Sequence, residues 1–202
     1  PDRELALLSE FEEKVAAIEK TGIDLLVAAD FDESMAFMGA EEFLVEVLKG
    51  TLGAECIVVG PQVTFGYQAM GDLLFLEQRA PQNGIALEVV ETVRVGGEIA
   101  SSTNIRNLLM EGAVETAARF LGQPYRLTGT VIEGAGRGHR LGFPTANLRV
   151  NPGKLWPGDG VYAGQASIQG TGYPATVNVG RRPTFAESQR VVEAHILDFA
   201  PD

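Results

Sequence analysis

The sequence predicts two domains, an α/β domain over residues 1–124 and an all-β domain, a small antiparallel β-barrel, over residues 125–202. In the first part helical and strand patterns alternate, which is typical of a parallel sheet covered by helices. After Gly122-Gln-Pro124 no helical pattern occurs, and short apolar strands separated by turn residues follow. Strands at this spacing favour a small barrel.

The first part opens with a helix. Ser9 and Glu12 have the spacing of a capping box, and we expect this helix to end at Gly22. Residues 23–29 follow as a buried apolar strand. The other elements are predicted in the order helix 41–48, strand 54–59, helix 72–80, strand 85–93, and helices 105–110 and 113–121.

The second part contains no helical pattern and four segments that predict strands. Gly170-Thr-Gly172 separates two of them and predicts a hairpin turn. The predicted strands are residues 126–133, 161–168, 173–179 and 191–199.

Composition bounds the classes of function. A net charge of −11 argues against nucleic acid or an anionic membrane as a partner. No apolar run is long enough to span a membrane, and Cys56 is the single cysteine, so we expect a cytoplasmic protein without disulfides or a zinc cluster. Cys56 lies in an apolar run and is predicted to be a buried structural thiol. The oligomeric state is left open.

A glycine-rich stretch, residues 133–147, is the strongest candidate site. Exposed backbone N–H groups and two arginines suit a phosphate chain, and Thr145 and Asn147 offer neutral oxygens to a phosphate-bound Mg²⁺. A glycine-rich turn with solvated arginines is the alternative. The stretch matches neither the dinucleotide fingerprint nor the P-loop. Its phosphate-binding candidates are Gly134, Gly136, Arg137, Gly138, Gly142, Thr145 and Asn147.

Two further sets of residues are candidates. Ser101, Ser102, Thr103 and Arg106 stand at the start of a helix, where hydroxyls and the helix dipole favour either an anion site or a plain N-cap. Glu193 lies among apolar residues of a strand, and a carboxylate there requires a partner or a function. Strand alternation predicts that Glu193 and His195 lie on one face, opposite Val192, Ala194 and Ile196. The alternative for Glu193 is an edge-strand side chain that faces water.

The chain resembles the bacterial bifunctional riboflavin kinase/FMN adenylyltransferase (FAD synthetase) family. Residues 1–124 resemble the later part of its Rossmann-like nucleotidyltransferase domain, and residues 125–202 most of its flavokinase barrel. The matching strings of the first part are Phe31-Asp-Glu33, Glu41-Glu-Phe43, Val58-Val-Gly60, Phe65-Gly66, Ser101-Ser-Thr103 and Ile105-Arg106. Those of the second part are residues 134–147, Asn178-Val-Gly180, Arg182-Pro-Thr184 and Glu193-Ala-His-Ile196.

The resemblance implies flavin cofactor biosynthesis, in which the C-terminal domain phosphorylates riboflavin to FMN with ATP and Mg²⁺. It implies that Glu193 is the general base, that Thr145 and Asn147 hold Mg²⁺ and phosphate, and that the glycine loop covers the nucleotide. It also implies that the Ser101–Arg106 group holds ATP phosphates during adenylyl transfer to FMN. Alternatives are an adenylyltransferase whose barrel only binds flavin, and a flavin- or nucleotide-binding module without turnover.

Departures from the family pattern lie mainly in the first part. No histidine precedes His139, so the family's His-x-Gly-His phosphate turn does not occur, and Gln62 and Val63 replace the usual Asp and Phe. We therefore expect the adenylyltransferase half to be inactive in this chain. The sequence begins at Pro1 rather than Met, and the family barrel continues past Asp202. The chain is thus expected to be a fragment that lacks both ends.

Overall fold

The computed structural model describes residues 6–133, 145–183 and 188–197. The chain divides into two compact units, one of Ile23–Ile99 and one of Pro1–Gly22 with Ala100–Asp202. The helices are α1 (Phe11–Glu19), α2 (Glu33–Phe37), α3 (Ala40–Glu42, continued by a π-helix over Phe43–Thr51), α4 (Leu73–Gln82), α5 (Ser102–Met110) and α6 (Val114–Leu121). The strands are β1 (Cys56–Val59), β2 (Thr64–Phe65), β3 (Gly71–Asp72), β4 (Ala86–Val89), β5 (Arg94–Val95), β6 (Glu98–Ile99), β7 (Gly129–Ile132), β8 (Ala146–Val150), β9 (Gly160–Ile168), β10 (Thr171–Pro183) and β11 (Ser188–Ile196).

The Ile23–Ile99 unit is built on a parallel pair of strands joined by a helix. In the described residues β1 and β4 pair in parallel, with Cys56 opposite Ala86. Helix α4 begins after Asp72, whose carboxylate accepts a hydrogen bond from the backbone N–H of Phe75 at 2.8 Å. The core of this unit is a cluster of Leu44, Leu76, Ala80 and Ile85. The predicted alternation of helices and strands is therefore present from residue 40 to residue 89.

The predicted strand over residues 23–29 does not form. These residues are coil, and Leu25 and Val27 are 75% and 56% exposed. A strand is stable only where its backbone N–H and C=O groups meet a neighbouring ladder, and in the described residues β1 pairs with β4 alone. The segment has the apolar composition of a strand, but the partner strand that it requires is not among the described residues.

Two smaller predictions in this half are also wrong. Cys56 is exposed, because it lies at the start of a strand that is covered incompletely. The capping box of α1 is shifted by one residue: Glu10 is the N-cap, and its backbone N–H donates to Oε2 of Glu13 at 2.8 Å. The side chain of Glu13 reaches back across the first turn because it belongs to the ion pair described below.

The second unit contains an open antiparallel sheet. Among the described residues its strands follow the order β7-β8-β11-β10-β9, and no closed barrel is found. Strands β9 and β10 form a hairpin with Ile168 opposite Thr171, and Gln169 and Gly170 have φ of 49° and 84°. Positive φ at both turn residues matches the right-handed twist of the strands. The turn therefore precedes the predicted Gly170-Thr-Gly172 by one residue, and β8 is a strand that sequence periodicity did not predict.

Two apolar clusters hold the second unit together. One face of the sheet carries Val150, Val179 and Val192, against which Trp156 and Tyr162 pack. Helices α5 and α6 supply most of the other cluster, whose buried residues are Ile105, Leu109, Ala117 and Leu155. Both helices thus fall in the same compact unit as the sheet. The boundary at residues 122–124 remains a prediction, with Gly122 in the left-handed region at the C-terminus of α6.

A buried ammonium group ties the N-terminal segment to this unit. The side chain of Lys154 is 1% exposed and forms an ion pair with Glu13. Its Nζ also donates to the carbonyl oxygen of Leu8 at 3.0 Å and lies 5.0 Å from the ring centroid of Tyr125. Tyr125 donates its hydroxyl to the carbonyl oxygen of Leu155 at 2.7 Å, and burial, more than the nearby carboxylates, raises its pKa.

Backbone hydrogen bonds complete this tie. The N–H of Leu7 donates to the carbonyl oxygen of Gly153 at 2.7 Å, and the N–H of Leu155 donates to the carbonyl oxygen of Leu7 at 2.8 Å. Nε of Arg106 donates to the carbonyl oxygen of Ala6 at 3.1 Å. Residues 6–13 are therefore fixed against both α5 and the segment that follows β8.

Replacing the buried ammonium tests this tie. Lys154→Met leaves the Glu13 carboxylate buried without its partner and should lower the free energy of unfolding by about 3–5 kcal/mol, measured by urea denaturation. The double variant Lys154→Met/Glu13→Leu should recover much of the loss, because no charge then remains buried. Arg79→Met, which removes an exposed ion pair with Glu41, is the control and should change the midpoint little. A loss no larger than that of the control would contradict a structural role for the Lys154 tie.

Candidate functional site

A row of polar residues crosses three neighbouring strands of the sheet. Glu193 on β11 lies directly opposite Asn147 on β8 and directly opposite Asn178 on β10. Directly opposed residues of antiparallel strands point to the same face, with Cβ atoms about 4.5–5.5 Å apart. The neighbours of Glu193 along β11, Val192 and Ala194, are buried on the other face. The predicted alternation around Glu193 is therefore confirmed.

Burial changes along this row. Asn147 is only 8% exposed, Glu193 is half-buried and Asn178 is exposed. His195 lies two residues beyond Glu193, on the same face and opposite Thr176. The carboxylate thus stands between a buried amide and an exposed amide, at the border between the protein interior and solvent.

The segment that contains the glycine-rich candidates connects β7 to β8. Gly134, Gly136, Arg137, Gly138 and Gly142 lie outside the described residues. The register still fixes both ends of their segment, because Ile132 at the end of β7 is opposite Asn147 at the start of β8. Thr145 immediately precedes β8 and is exposed. The structure thus brings Asn147 and Glu193 together on one face, and Thr145 immediately precedes β8.

A cleft of about 460 Å³ adjoins Asn147. The β8–β11 ladder ends at the pair Leu148–Val192, and the cleft is lined in part by residues 149–150 and 190–191 beyond that pair, which remain hydrogen-bonded to β7 and β10 but not to each other. On its wall the guanidinium of Arg190 lies 5.5 Å from the ring of Trp156 and donates to the carbonyl oxygen of Pro157 at 2.7 Å. Arg190 also forms an ion pair with Asp159 at 2.9 Å.

The second predicted set lies at the N-terminus of α5. Ser101 is the N-cap and accepts a hydrogen bond from the backbone N–H of Asn104 at 3.2 Å. Ser102 and Thr103 are exposed in the first turn. Arg106 is engaged through Nε with the carbonyl oxygen of Ala6. Ser101 therefore caps the helix, and Arg106 anchors the N-terminal segment. The role of these four residues in binding phosphate stays a prediction.

Sequence reasoning did not single out Asn178. Asn178 appeared only as part of a family string. Its side chain becomes a candidate for the site only when the strand register places it opposite Glu193. Alternation along β10 indicates which face it occupies, but not which residue of which strand it meets. Cross-strand register was the signal that could have identified it.

The other unit has an apolar cleft of its own, of about 430 Å³. Phe65 is central to it and makes tilted or edge contacts with the rings of Phe43 and Phe75, at centroid distances of 5.7 and 5.8 Å. Its lining residues are Phe31, Met35, Met38, Phe43, Thr64, Phe65, Gly66 and Ala69.

Two searches of the described residues found no sites of other kinds. No helix in the described ranges is long and apolar enough to cross a membrane. Over the same ranges, no group of three or more His, Cys, Asp or Glu side chains could hold a metal ion.

Two protein-family models match the chain. The FAD synthetase family model matches residues 1–104, and the riboflavin kinase family model matches residues 121–202. The bifunctional riboflavin kinase/FMN adenylyltransferase of Pseudomonas fluorescens is 35% identical over 182 residues, which are 90% of this chain and 58% of that protein. The protein of the same name from Escherichia coli K12 is 32% identical over 204 residues, which cover 100% of this chain and 64% of that protein.

One solved structure matches the whole chain. It is described as a macrolide-efflux protein from Streptococcus pneumoniae and is similar with a TM-score of 0.87 and 30% identity, over 100% of this chain and 66% of that chain. That description is of the S. pneumoniae protein. The chain spans less than two thirds of the length of these relatives, at 58%, 64% and 66%.

Proposed function

Because the chain belongs to the FAD synthetase family and its C-terminal part matches the riboflavin kinase model, we propose that residues 125–202 transfer the γ-phosphate of ATP to riboflavin. The observation that carries this proposal is the cross-strand pair of Asn147 and Glu193. It sets a half-buried carboxylate beside a buried amide, at the end of the sheet where the glycine-rich segment enters β8.

The finer architecture is part of the same proposal. The five described strands form most of a small barrel of the flavokinase type, and the parallel β1–β4 pair belongs to a Rossmann-like nucleotidyltransferase domain. The domains divide at residues 122–124, after the helices α5 and α6. The family matches, which end at residue 104 and resume at residue 121, support a division in this region.

The proposed reaction is a direct phosphoryl transfer. The terminal hydroxyl of the ribityl chain gives its proton to the Glu193 carboxylate while its oxygen bonds to the γ-phosphorus. The bond between the γ-phosphorus and the β–γ bridging oxygen breaks, and that electron pair leaves with ADP. Catalysis of this kind rests mainly on positioning and on charge neutralisation, with the base adding a smaller factor.

The residues at the start of β8 fit a magnesium ion in their donor chemistry. The Thr145 hydroxyl and the Asn147 amide oxygen, two positions apart, are neutral oxygen ligands of the kind that Mg²⁺ accepts together with water and phosphate. The ion, when bound, would neutralise charge on the β- and γ-phosphates. Arg137 and the glycine N–H groups of residues 134–142 would bind the phosphate chain beside it.

The N-terminal half is proposed to be an FMN adenylyltransferase domain. Its substrates would be FMN and ATP, with Ser101, Ser102, Thr103 and Arg106 near the nucleotide phosphates. The apolar cleft around Phe65 offers a surface for a flat aromatic ligand, which is consistent with a flavin. The alternatives, a barrel that only binds flavin and a binding module without turnover, differ from this proposal in the products that they form.

Adenylyl transfer by the 202-residue chain is one test. We expect no FAD from FMN, ATP and Mg²⁺, because no histidine precedes His139 and the phosphate turn of the family is absent from this sequence. Chromatography of the reaction mixture measures the product. Steady FAD formation would show that other groups of this chain perform the step.

Metal and nucleotide binding is a second test. Thr145→Ala and Asn147→Ala each remove an oxygen available to the metal or phosphate, so they should weaken binding of Mg·ATP far more than binding of riboflavin. Titration calorimetry with each ligand measures this difference. Asn107→Ala, an exposed amide on α5, should change neither affinity. Equal losses for both ligands would instead indicate local unfolding of this end of the sheet.

The base is the third test. Glu193→Gln keeps the shape of the side chain but cannot accept a proton, so kcat for FMN formation should fall by about 10²–10⁴-fold while the KM values for riboflavin and ATP change little. Glu115→Gln on α6 replaces an exposed carboxylate of the same unit and should leave kcat unchanged. Near-normal turnover of the Glu193→Gln variant would remove Glu193 from the mechanism and leave positioning to account for the rate.

A further inference from the structure

Glu193 has two neighbours in the polar row, Asn147 and Asn178. The proposed mechanism gives a role to Asn147 but none to Asn178. Asn178 lies directly opposite Glu193 on β10, as Asn147 does on β8. The carboxylate therefore has an amide on each side, on the same face of the sheet. Asn147 is buried, whereas Asn178 is exposed. A ligand that approaches the row from solvent meets Asn178 first.

The amide of Asn178 lies over an open position. A Cβ atom placed on Gly180 would be 3.7 Å from Oδ1 and 3.9 Å from Nδ2 of Asn178, so the amide leans along the strand toward a residue without a side chain. Gly180 shares the face of Asn178, because the two are two positions apart on one strand. Beside the carboxylate there is thus an amide whose neighbour on the same face of β10, Gly180, has no side chain.

The row continues to an exposed apolar residue. Val161 on β9 is directly opposite Asn178 and is 74% exposed. Across the face, the row therefore consists of a buried amide (Asn147), a carboxylate (Glu193), an exposed amide (Asn178) and an exposed aliphatic side chain (Val161). An acceptor substrate with hydroxyl groups at one end and an apolar ring at the other would match the last two of these residues, Asn178 and Val161.

We propose that Asn178 binds the hydroxyl-bearing chain of the acceptor alcohol, so that the row arranges the two substrates on opposite sides of Glu193. This inference rests on the proposed kinase function. The nucleotide lies on the Asn147 side, where the glycine-rich segment joins β7 to β8. The base must contact the acceptor hydroxyl, and the acceptor therefore lies on the Asn178 side.

The chemistry of the side chain suits this role. A primary amide offers two N–H donors and one carbonyl acceptor, and can therefore both donate to a hydroxyl oxygen and accept from a neighbouring hydroxyl of the same chain. A donor bond to the reacting oxygen holds its proton toward the carboxylate. Asn178 neither takes up nor releases a proton in this step, and Glu193 remains the base.

The first experiment compares the two substrates. In the full chain, Asn178→Ala should raise the KM for riboflavin by about threefold to tenfold, the cost of a lost neutral hydrogen bond, and leave the KM for ATP unchanged. Gln165→Ala is the matched control, since it removes an exposed amide from the same face of β9, opposite Pro174 rather than Asn178. The Gln165→Ala variant should change neither the KM for riboflavin nor the KM for ATP.

The second experiment separates substrate contact from a structural role. Asn178→Asp keeps the shape but loses the N–H donors and adds a negative charge opposite Glu193, so the acid limb of the kcat/KM profile should move to higher pH. Gly180→Ala places a methyl group at ordinary contact distance from the amide, and should raise the KM for riboflavin with no loss of thermal stability. If Asn178 only supports the sheet, Asn178→Ala would lower the melting temperature and would not raise the KM for riboflavin selectively.

The outcomes distinguish this inference from the proposed function. If the Glu193→Gln variant loses turnover while Asn178→Ala behaves like Gln165→Ala, the kinase function stands and the role of Asn178 is overturned. The role is also overturned if Asn178→Ala raises the KM values for ATP and riboflavin equally. If the unmodified chain forms no FMN from riboflavin, ATP and Mg²⁺, the proposed function itself fails.

Discussion

The buried ammonium of Lys154 is the constraint on which the second unit depends. An ammonium in the protein interior is stable only when carboxylate, carbonyl and aromatic groups replace its water, and Glu13, Leu8 and Tyr125 supply these groups. Two of these partners come from the first 13 residues of the chain. A single residue after β8 thus fixes a segment that lies more than 140 positions away in the sequence.

This tie acts on the same strand that carries the candidate site. Lys154 follows β8, and β8 begins with Ala146 and Asn147. The segment that follows β8 is anchored to the N-terminal segment and to the Tyr125 ring, and the candidate site lies at the other end of β8. The tie and the candidate site therefore occupy opposite ends of one short strand.

The polar row and the apolar core share one sheet because β-strands alternate. Val192 and Ala194 are buried on one face, while Glu193 points to the other. A slip of one residue between β8 and β11 would bury the carboxylate and expose the valine core, so the hydrophobic face that stabilises the sheet also fixes which amides flank Glu193. The packing of the core therefore fixes the geometry of the candidate site.

The sequence by itself determined the kind of most of the longer local elements. Helical periodicity placed α1 and α4–α6 to within a few residues, and apolar alternation identified β9–β11 and the face of Glu193. These features depend on neighbours near in the chain, so the order of residue types is sufficient to predict them. The family strings likewise named Thr145, Asn147 and Glu193 as candidates without any knowledge of distance, and their roles stay predictions.

Tertiary structure decided everything that depends on a partner far away in the sequence. Residues 23–29 have the composition of a strand but no ladder in the described structure, and Cys56 is exposed because its strand is covered incompletely. The pairing of Lys154 with Glu13 and the position of Asn178 opposite Glu193 join residues that no local pattern connects. The physical reason is that a ladder register and a buried charge pair are set by the meeting of two segments, and neither segment alone contains that information.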